Sequence, residues 1–265
     1  MTPEDVQARL LYRDGLMLVL DKPAGLPVHR GPKGVEAFED YFDALCFGLP
    51  RPPALAHRLD RDTTGCLVLG RHRKALALLG KLFKQSKVGK TYWAVVEGGP
   101  EADEGRIEIA LSKRDETRGW WMKPDPQGLP SVTTWTVMGR YPSVGGGSPR
   151  SGGVGATSPT EQEPAPPGAF GATLPLQGRD KTLTWLALEP ITGRTHQLRV
   201  HCAEMGFPIV GDTIYGTAPR VDGPPLHLHS REVVVPISKN KPPVVVTAPV
   251  PAHMRELLEA CGWSN

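Results

Sequence analysis

The sequence predicts an α+β fold with a mixed, mainly antiparallel sheet and flanking helices. Two observations lead there. Strand-like segments outnumber helix-like ones, and the two kinds do not alternate regularly along the chain. Regular alternation would instead indicate a doubly wound parallel sheet.

In chain order, Tyr12-Arg13-Asp14-Gly15 reads as a turn, and the apolar run Leu16 to Leu20 suits a buried strand. Lys22-Pro23-Ala24-Gly25 breaks it. Glu36 to Phe47 reads as a helix, with Phe38, Tyr41, Phe42 and Leu45 on one face. A strand follows at Cys66–Leu69. Lys74 to Ser86 is an amphipathic helix that gathers Ala75, Leu78, Leu79, Leu82 and Phe83 into one stripe. Thr91 to Glu97 alternates as a strand does, Tyr92, Ala94 and Val96 against Trp93 and Val95. Weaker strand patterns cover Arg106–Leu111, Ser131–Arg140, Lys181–Leu188, Leu226–Pro236 and Val244–Ala248. Helices are expected at Thr195–Met205, stopped by Gly206 and Pro208, and at His253–Cys261.

A chain of 265 residues can bury a substantial core without staples. Hydrophobic residues at 39% and charged ones at 22% exclude a disordered or fibrous protein. No apolar run reaches membrane-span length, and the acidic start Met1-Thr2-Pro3-Glu4-Asp5 is no secretory signal. Cys46, Cys66, Cys202 and Cys261 show no metal-ligand spacing and read as reduced thiols of a cytoplasmic protein. The absence of an exposed apolar heptad points to a monomer.

The whole chain, 1–265, reads as one domain interrupted by an insertion. Pro142 to Asp180 holds nine glycines and seven prolines in 39 positions. With almost no large apolar side chains, it cannot offset its own chain entropy and is expected to be a flexible loop.

Net charge is only +3, but its distribution is uneven. Between His57 and Lys90 there are nine lysines and arginines against Asp60 and Asp62. A solvated helix face explains such a run as well as a polyanion site does, unless chemistry lies beside it.

Three groups of residues supply that chemistry. In His57-Arg58-Leu59-Asp60-Arg61-Asp62-Thr63-Thr64-Gly65 a carboxylate, Asp60, sits between two guanidinium groups, which favour its ionised form. Held in place, it can act as nucleophile or base. A surface ion-pair cluster is the plain alternative. In Glu189 to His201, Thr195 is placed to cap a helix whose first turns present His196, Gln197 and Arg199. Beside Arg194, that helix start suits an anion. His196 and His201 have no third metal ligand in view. Lys90-Thr91-Tyr92 puts an aromatic ring at a strand entrance beside the basic helix, where it is core or stacks on a base.

Together these blocks resemble the RluA-type family of RNA pseudouridine synthases. Val19 to His29 resembles the family's opening strand and KPxG loop. His57-Arg58-Leu59-Asp60 with Thr63-Thr64-Gly65 resembles its HRLDxxTSG motif, and Lys90-Thr91-Tyr92 its KxY motif. Gly193 to His201, followed by Gly211-Asp212-Thr213-Ile214-Tyr215-Gly216, resembles the third block, and Leu228-His229-Ser230 a later LHA element. The blocks keep family order over about residues 12 to 250, the insertion excepted. Thr64 and Ser230 replace the more usual Ser and Ala.

The resemblance implies a pseudouridine synthase fold with its catalytic cleft across the sheet. It implies isomerisation of specific uridines to pseudouridine in structured RNA, a ribosomal large-subunit or transfer RNA stem-loop, with no cofactor and no metal. It assigns catalysis to Asp60, to Tyr92 stacked on the base, and to Arg199 paired with Asp60. Given an RNA substrate, charge and the anion-suited helix start make Arg58, Arg61, Arg71, Lys74, Lys90, Arg194 and His196 the expected RNA contacts. Two other readings compete: a non-catalytic RNA-binding or RNA-folding factor on the same fold, and a glycoside hydrolase. The second needs a pair of carboxylates across a sugar cleft, which Asp60 and Asp62 do not obviously supply.

Overall fold

The computed structural model describes residues 1–31, 34–114, 121–142, 182–238 and 240–264. Apart from Pro142, the expected 142–180 insertion lies outside the described residues.

The chain opens with α1 (Pro3–Gln7), started by a reciprocal cap in which Thr2 and Asp5 each accept a backbone N–H from the other. Strands β1 (Leu10–Arg13) and β2 (Met17–Lys22) form an antiparallel pair. The turn expected at Tyr12–Gly15 is therefore shorter, and Tyr12 and Arg13 lie in β1. Asp14 makes the turn, its Oδ1 accepting the N–H groups of Leu16 and Met17.

The apolar face of Phe38, Phe42 and Leu45 is buried as expected, but it is wound as a 3₁₀ helix over Phe38–Leu45. Next come β3 (Ala54–Leu55), β4 (Thr64–Gly70), α2 (Arg73–Lys84) and β5 (Gly89–Glu97). Then follow β6 (Glu104–Glu108), β7 (Leu111–Lys113), β8 (Met122–Pro124) and β9 (Val132–Tyr141). The strand expected over Arg106–Leu111 is divided, because the chain leaves β9 after Glu108 and enters a separate β7–β8 hairpin. The chain closes with β10 (Leu183–Pro190), α3 (Gln197–Glu204), β11 (Leu228–Val235), β12 (Val244–Thr247) and α4 (Ala252–Ala260).

Among the described residues ten strands share one sheet, in the order β1-β2-β4-β11-β5-β10-β9-β6, with β3 added on β4 and β12 on β11. The β4–β11 neighbours run parallel and the other described pairs antiparallel. This is the mixed, mainly antiparallel sheet that the sequence predicts.

Both faces of the central strands are covered, so β2 and β4 are buried residue after residue. Leu18, Leu20, Leu67, Leu69, Tyr92, Ala94 and Val96 pack on one face with Leu198 and Cys202 of α3. Met17, Val19, Cys66 and Val68 pack on the other with Leu79 and Leu82 of α2. Val95 and Trp185 meet Met254, Leu257 and Leu258 of α4 on that second side. The period-two alternation read in Thr91–Glu97 is thus a division between two cores. The four cysteines are free. No helix among the described residues is long and apolar enough to cross a membrane.

Candidate active site

The loop from β3 to β4 is pinned alternately inward and outward. His57 is half-buried, its Nε2 accepting the Val68 N–H at 3.0 Å and its ring stacked on Phe83 at 4.5 Å between centroids. Burial, helped by Lys90, drives its pKa down to about 3, so the ring is neutral and serves as an anchor. Arg58 is exposed and Leu59 is buried in the core. Asp60 is then left at the cleft, its side chain 28% exposed.

Beneath the loop lies Lys22, fully buried at the end of β2. Its ammonium donates to the carbonyl oxygens of Pro23, Arg61 and Thr63 at 2.7, 2.7 and 3.0 Å. These bonds hold the loop just behind Asp60. Burial lowers the Lys22 pKa to about 7, against the pull of Asp62 and Asp60.

The opposite wall is the start of α3. The expected Thr195 cap is not formed: the N-cap residue is His196, at φ 51°, with no side-chain capping bond. Gln197 performs the docking. Its Oε1 accepts from the Arg194 N–H and the Thr192 hydroxyl, and its Nε2 donates to the Val132 carbonyl and the Thr133 hydroxyl. A fully bonded amide thus ties the helix start to β9.

Arg199, 4% exposed, is where the expected geometry needs correction. Its guanidinium does not pair with Asp60. It donates from Nε and Nη2 to the two oxygens of Asp212, each at 2.7 Å. Asp212 is itself buried, whereas Asp60 keeps solvent, so the better-enclosed carboxylate takes the fork. Burial tends to lower the Arg199 pKa; Asp212, and at longer range Asp60, raise it overall. Asp60 is therefore within reach of the Arg199 charge without touching it. Facing Asp60 directly is His196, Nε2 to Oδ2 at 3.9 Å.

Tyr92, on β5, lies on the sheet floor with its pKa pushed well above the usual phenol value by burial, while Ser230 acts the other way. A cleft of about 1260 Å³ opens over these groups, lined by Arg58, Asp60, Arg61, Lys90, Tyr92, Arg194, His196 and Arg199, among others. The structure therefore brings together eight of the ten residues singled out from sequence. Arg71 and Lys74 lie outside the lining. Arg71 gives its guanidinium to the carbonyls of Asp14, Cys46 and Phe47, and Lys74 sits on the exposed face of α2.

Three contributors had no role assigned from sequence: Lys22, Asp212 and Tyr215. Lys22 continues the period-two register of Leu18 and Leu20 in β2, which places it on their buried face. Asp212 precedes Ile214 and Tyr215, whose N–H groups it accepts at 2.9 and 3.0 Å, the spacing of an aspartate-initiated turn.

A partly solvated carboxylate and a buried tyrosine in a cleft lined by Arg58, Arg61, Lys90 and Arg194 suit acid–base or nucleophilic chemistry on a polyanion. Comparison with known proteins supplies the particular family. The sequence profile described as RNA pseudouridylate synthase matches residues 16–204. An RNA pseudouridine synthase of Zymomonas mobilis is 36% identical over 94% of this chain and 96% of its own. The ribosomal large subunit pseudouridine synthase C of Haemophilus ducreyi is 29% identical over 96% of this chain and 69% of its own. Among solved structures, the human RNA pseudouridylate synthase domain containing 4 protein covers 98% of this chain, and this chain 95% of it, with a TM-score of 0.69 at 23% identity, a likeness of fold. The chain belongs to the RluA-type family of RNA pseudouridine synthases, isomerases that convert uridine to pseudouridine in RNA.

Proposed function

We propose that this chain isomerises a uridine in large-subunit ribosomal RNA, with Asp60 as the reacting carboxylate. One observation carries the assignment: Asp60 holds its carboxylate in the cleft between basic walls, backed by a loop that Lys22, His57 and Leu59 fix. Relatives named as ribosomal large subunit synthases C and D support the choice of RNA. The cleft residues are carried by one sheet and the segments packed on it, which supports a single catalytic domain as the acting unit.

The reaction breaks N1–C1′, turns the uracil, joins C5 to C1′, and releases the C5 proton while N1 regains one. Atoms and charge balance without a redox partner or group donor. A base within a stem must first leave the stack, and the cations Arg58, Arg61, Lys90 and Arg194 supply phosphate attraction for that opened strand. Asp60 then either attacks C1′ or removes the C2′ proton. Arg199 acts through its fixed positive charge, held in its seat on Asp212. Tyr92 stacks on the detached base near C5. With its pKa raised, the phenol stays protonated at neutral pH, so it works as a hydroxyl rather than a phenolate.

The test is tritium release from C5-labelled uridine in ribosomal and transfer RNA fragments. Asp60→Ala should abolish release while RNA affinity is kept. Tyr92→Phe should slow release by about 10²-fold through loss of the hydroxyl alone. Near-normal release by Asp60→Ala would remove the assignment, and release from transfer RNA only would overturn the ribosomal substrate.

A further inference from the structure

We propose that His196 is a positioning residue for Asp60: its Nε2–H, set in that tautomer by Tyr215, orients the Asp60 carboxylate against the bound nucleotide. This rests on the reading of Asp60 as the reacting group.

A string of hydrogen bonds sets the tautomer. The Tyr215 hydroxyl accepts the backbone N–H of Met122 at 2.8 Å. A backbone N–H only donates, so the phenolic proton is free to point elsewhere. It meets His196 Nδ1 at 3.0 Å. Taking the phenolic proton as the donor of this bond makes Nδ1 the acceptor, and a neutral imidazole then carries its own proton on Nε2. The ring is 6% exposed, and burial favours the neutral form although Asp60, Asp212 and Asp62 draw a proton toward it and Arg199 repels one. The Nε2–H faces Asp60 Oδ2 across 3.9 Å. That gap exceeds a hydrogen bond, and hydrogen bonds at empty catalytic sites commonly tighten when substrate excludes water.

The backbone agrees with this assignment. His196 sits at φ 51°, ψ 16°, a left-handed conformation that side chains with a Cβ seldom adopt. Held there, the ring is turned into the cleft. Asp212 fixes both neighbours of the string, gripping Arg199 by its fork and Tyr215 by its N–H. The Arg199 guanidinium also lies 5.4 Å from the Tyr215 ring centre. At the far end, Met122 belongs to the β7–β8 hairpin, from which Lys113 reaches the cleft wall. Hairpin seating and Asp60 orientation therefore share one chain of bonds. Arg199, committed to Asp212, leaves the orientation of Asp60 to this second partner.

The experiment measures single-turnover rate at saturating RNA, RNA affinity, and thermal unfolding for five proteins: wild type, His196→Ala, His196→Gln, Tyr215→Phe and Asp60→Ala. Loss of orientation should slow His196→Ala by about 10- to 100-fold while RNA affinity changes less than about 3-fold. His196→Gln keeps an N–H near the Nε2 position and should recover most of the rate. Tyr215→Phe leaves the His196 backbone untouched and should give a smaller fall, again in rate and not in affinity. A His196→Ala protein that binds RNA weakly but turns over normally at saturation overturns the proposal in favour of an RNA contact. So does a Tyr215→Phe protein of wild-type rate. If Asp60→Ala is inactive while His196→Ala is not slowed, this inference alone fails; if Asp60→Ala is active, the underlying reading fails.

Discussion

Arg199 and Asp212 form a two-point ion pair, both contacts at 2.7 Å, with side chains only 5% and 1% exposed. The pair joins two separate stretches of chain, α3 and the turn before Tyr215. Its consequence is that the guanidinium becomes a fixed charge behind Asp60. A fixed charge needs no reorganisation when the reaction begins.

Removing one member of such a pair strands the other. Asp212→Ala should lower stability by about 3–5 kcal/mol, the range for a broken buried pair. Asp212→Asn, which keeps an acceptor, should cost less. The pH dependence has a definite sign. Burial pushes the Asp212 carboxyl up, but Arg199 and the N–H groups of Tyr215 and Ile214 outweigh it and hold the pKa below the ordinary aspartate value of 3.8. A group lowered on folding contributes stability that is complete above its unfolded pKa and is lost as pH falls through the folded one. The difference in urea midpoint between wild type and Asp212→Asn should therefore be widest near neutral pH and close in acid. A constant difference from pH 7 to pH 2 would contradict the pair's role.

The cations divide by position into those that line the cleft and those that lie outside it. Arg58→Ala, Arg61→Ala, Lys90→Ala and Arg194→Ala should each reduce the slope of log affinity against log salt by about 0.7–1, one phosphate contact apiece. Lys74→Ala should leave the slope unchanged. Arg71→Ala should also leave it unchanged, but should lower stability by about 1–2 kcal/mol because the half-buried carbonyls of Asp14, Cys46 and Phe47 lose their donor. Filter-binding titrations over a salt series decide this. A Lys74→Ala slope as reduced as that of Arg58→Ala would extend the RNA surface beyond the cleft.

The sheet was legible because its strands carry period-two or continuous apolar patterns, as in Thr91–Glu97 and Leu16–Leu20. Asp60, Tyr92 and the basic cleft residues were legible because spaced motifs carry them. What stayed hidden depends on pairing across the fold. A sequence does not say which of two carboxylates, Asp60 or Asp212, Arg199 will choose, since burial decides it and burial is a tertiary property. Thr195 is a good capping residue, yet the amide of Gln197 reaches β9 and makes the cap unnecessary. The short β3 and β8 have too few residues to display a period.

Lys22 offers a pH signature of its own. Its pKa falls from the ordinary lysine value of 10.5 to about 7 on burial. Between those values the unfolded chain holds a proton that the folded chain has released, so this group makes stability rise with pH across that window and fall as pH drops toward 7. Lys22→Met should remove that rise, amounting to a few kcal/mol, on the order of one per pH unit. The same substitution leaves the carbonyls of Pro23, Arg61 and Thr63 without their donor, which should cost about 2–4 kcal/mol at neutral pH and loosen the loop that carries Asp60. Urea unfolding of both proteins at pH 7 and pH 9.5 separates the two effects. Parallel changes in wild type and Lys22→Met would mean that Lys22 is not the group responsible.

Gly65 marks where the Asp60 loop enters β4, and its surroundings leave no room for a side chain. It pairs with Lys22 on β2 and with Ser230 on β11, at φ 100°. A Cβ there would strike the Ser230 carbonyl oxygen and approach the His229 ring to 2.9 Å. Neither obstacle yields easily: the first is backbone, and the His229 ring is held by the Thr64 hydroxyl at 2.8 Å. Ser230 is also paired with Tyr92, so displacing β11 would shift the floor of the cleft. Gly65→Ala should therefore lose about 2–4 kcal/mol from backbone strain and overpacking together, and lose turnover with it. Gly80 provides the contrast. It lies within α2 with nothing within 4 Å of an added Cβ, and Gly80→Ala should gain about 0.5–1 kcal/mol with turnover intact. If Gly65→Ala unfolded at the wild-type urea midpoint and kept full turnover, β11 would have room to move aside, and the seat of Tyr92 would not depend on that close approach.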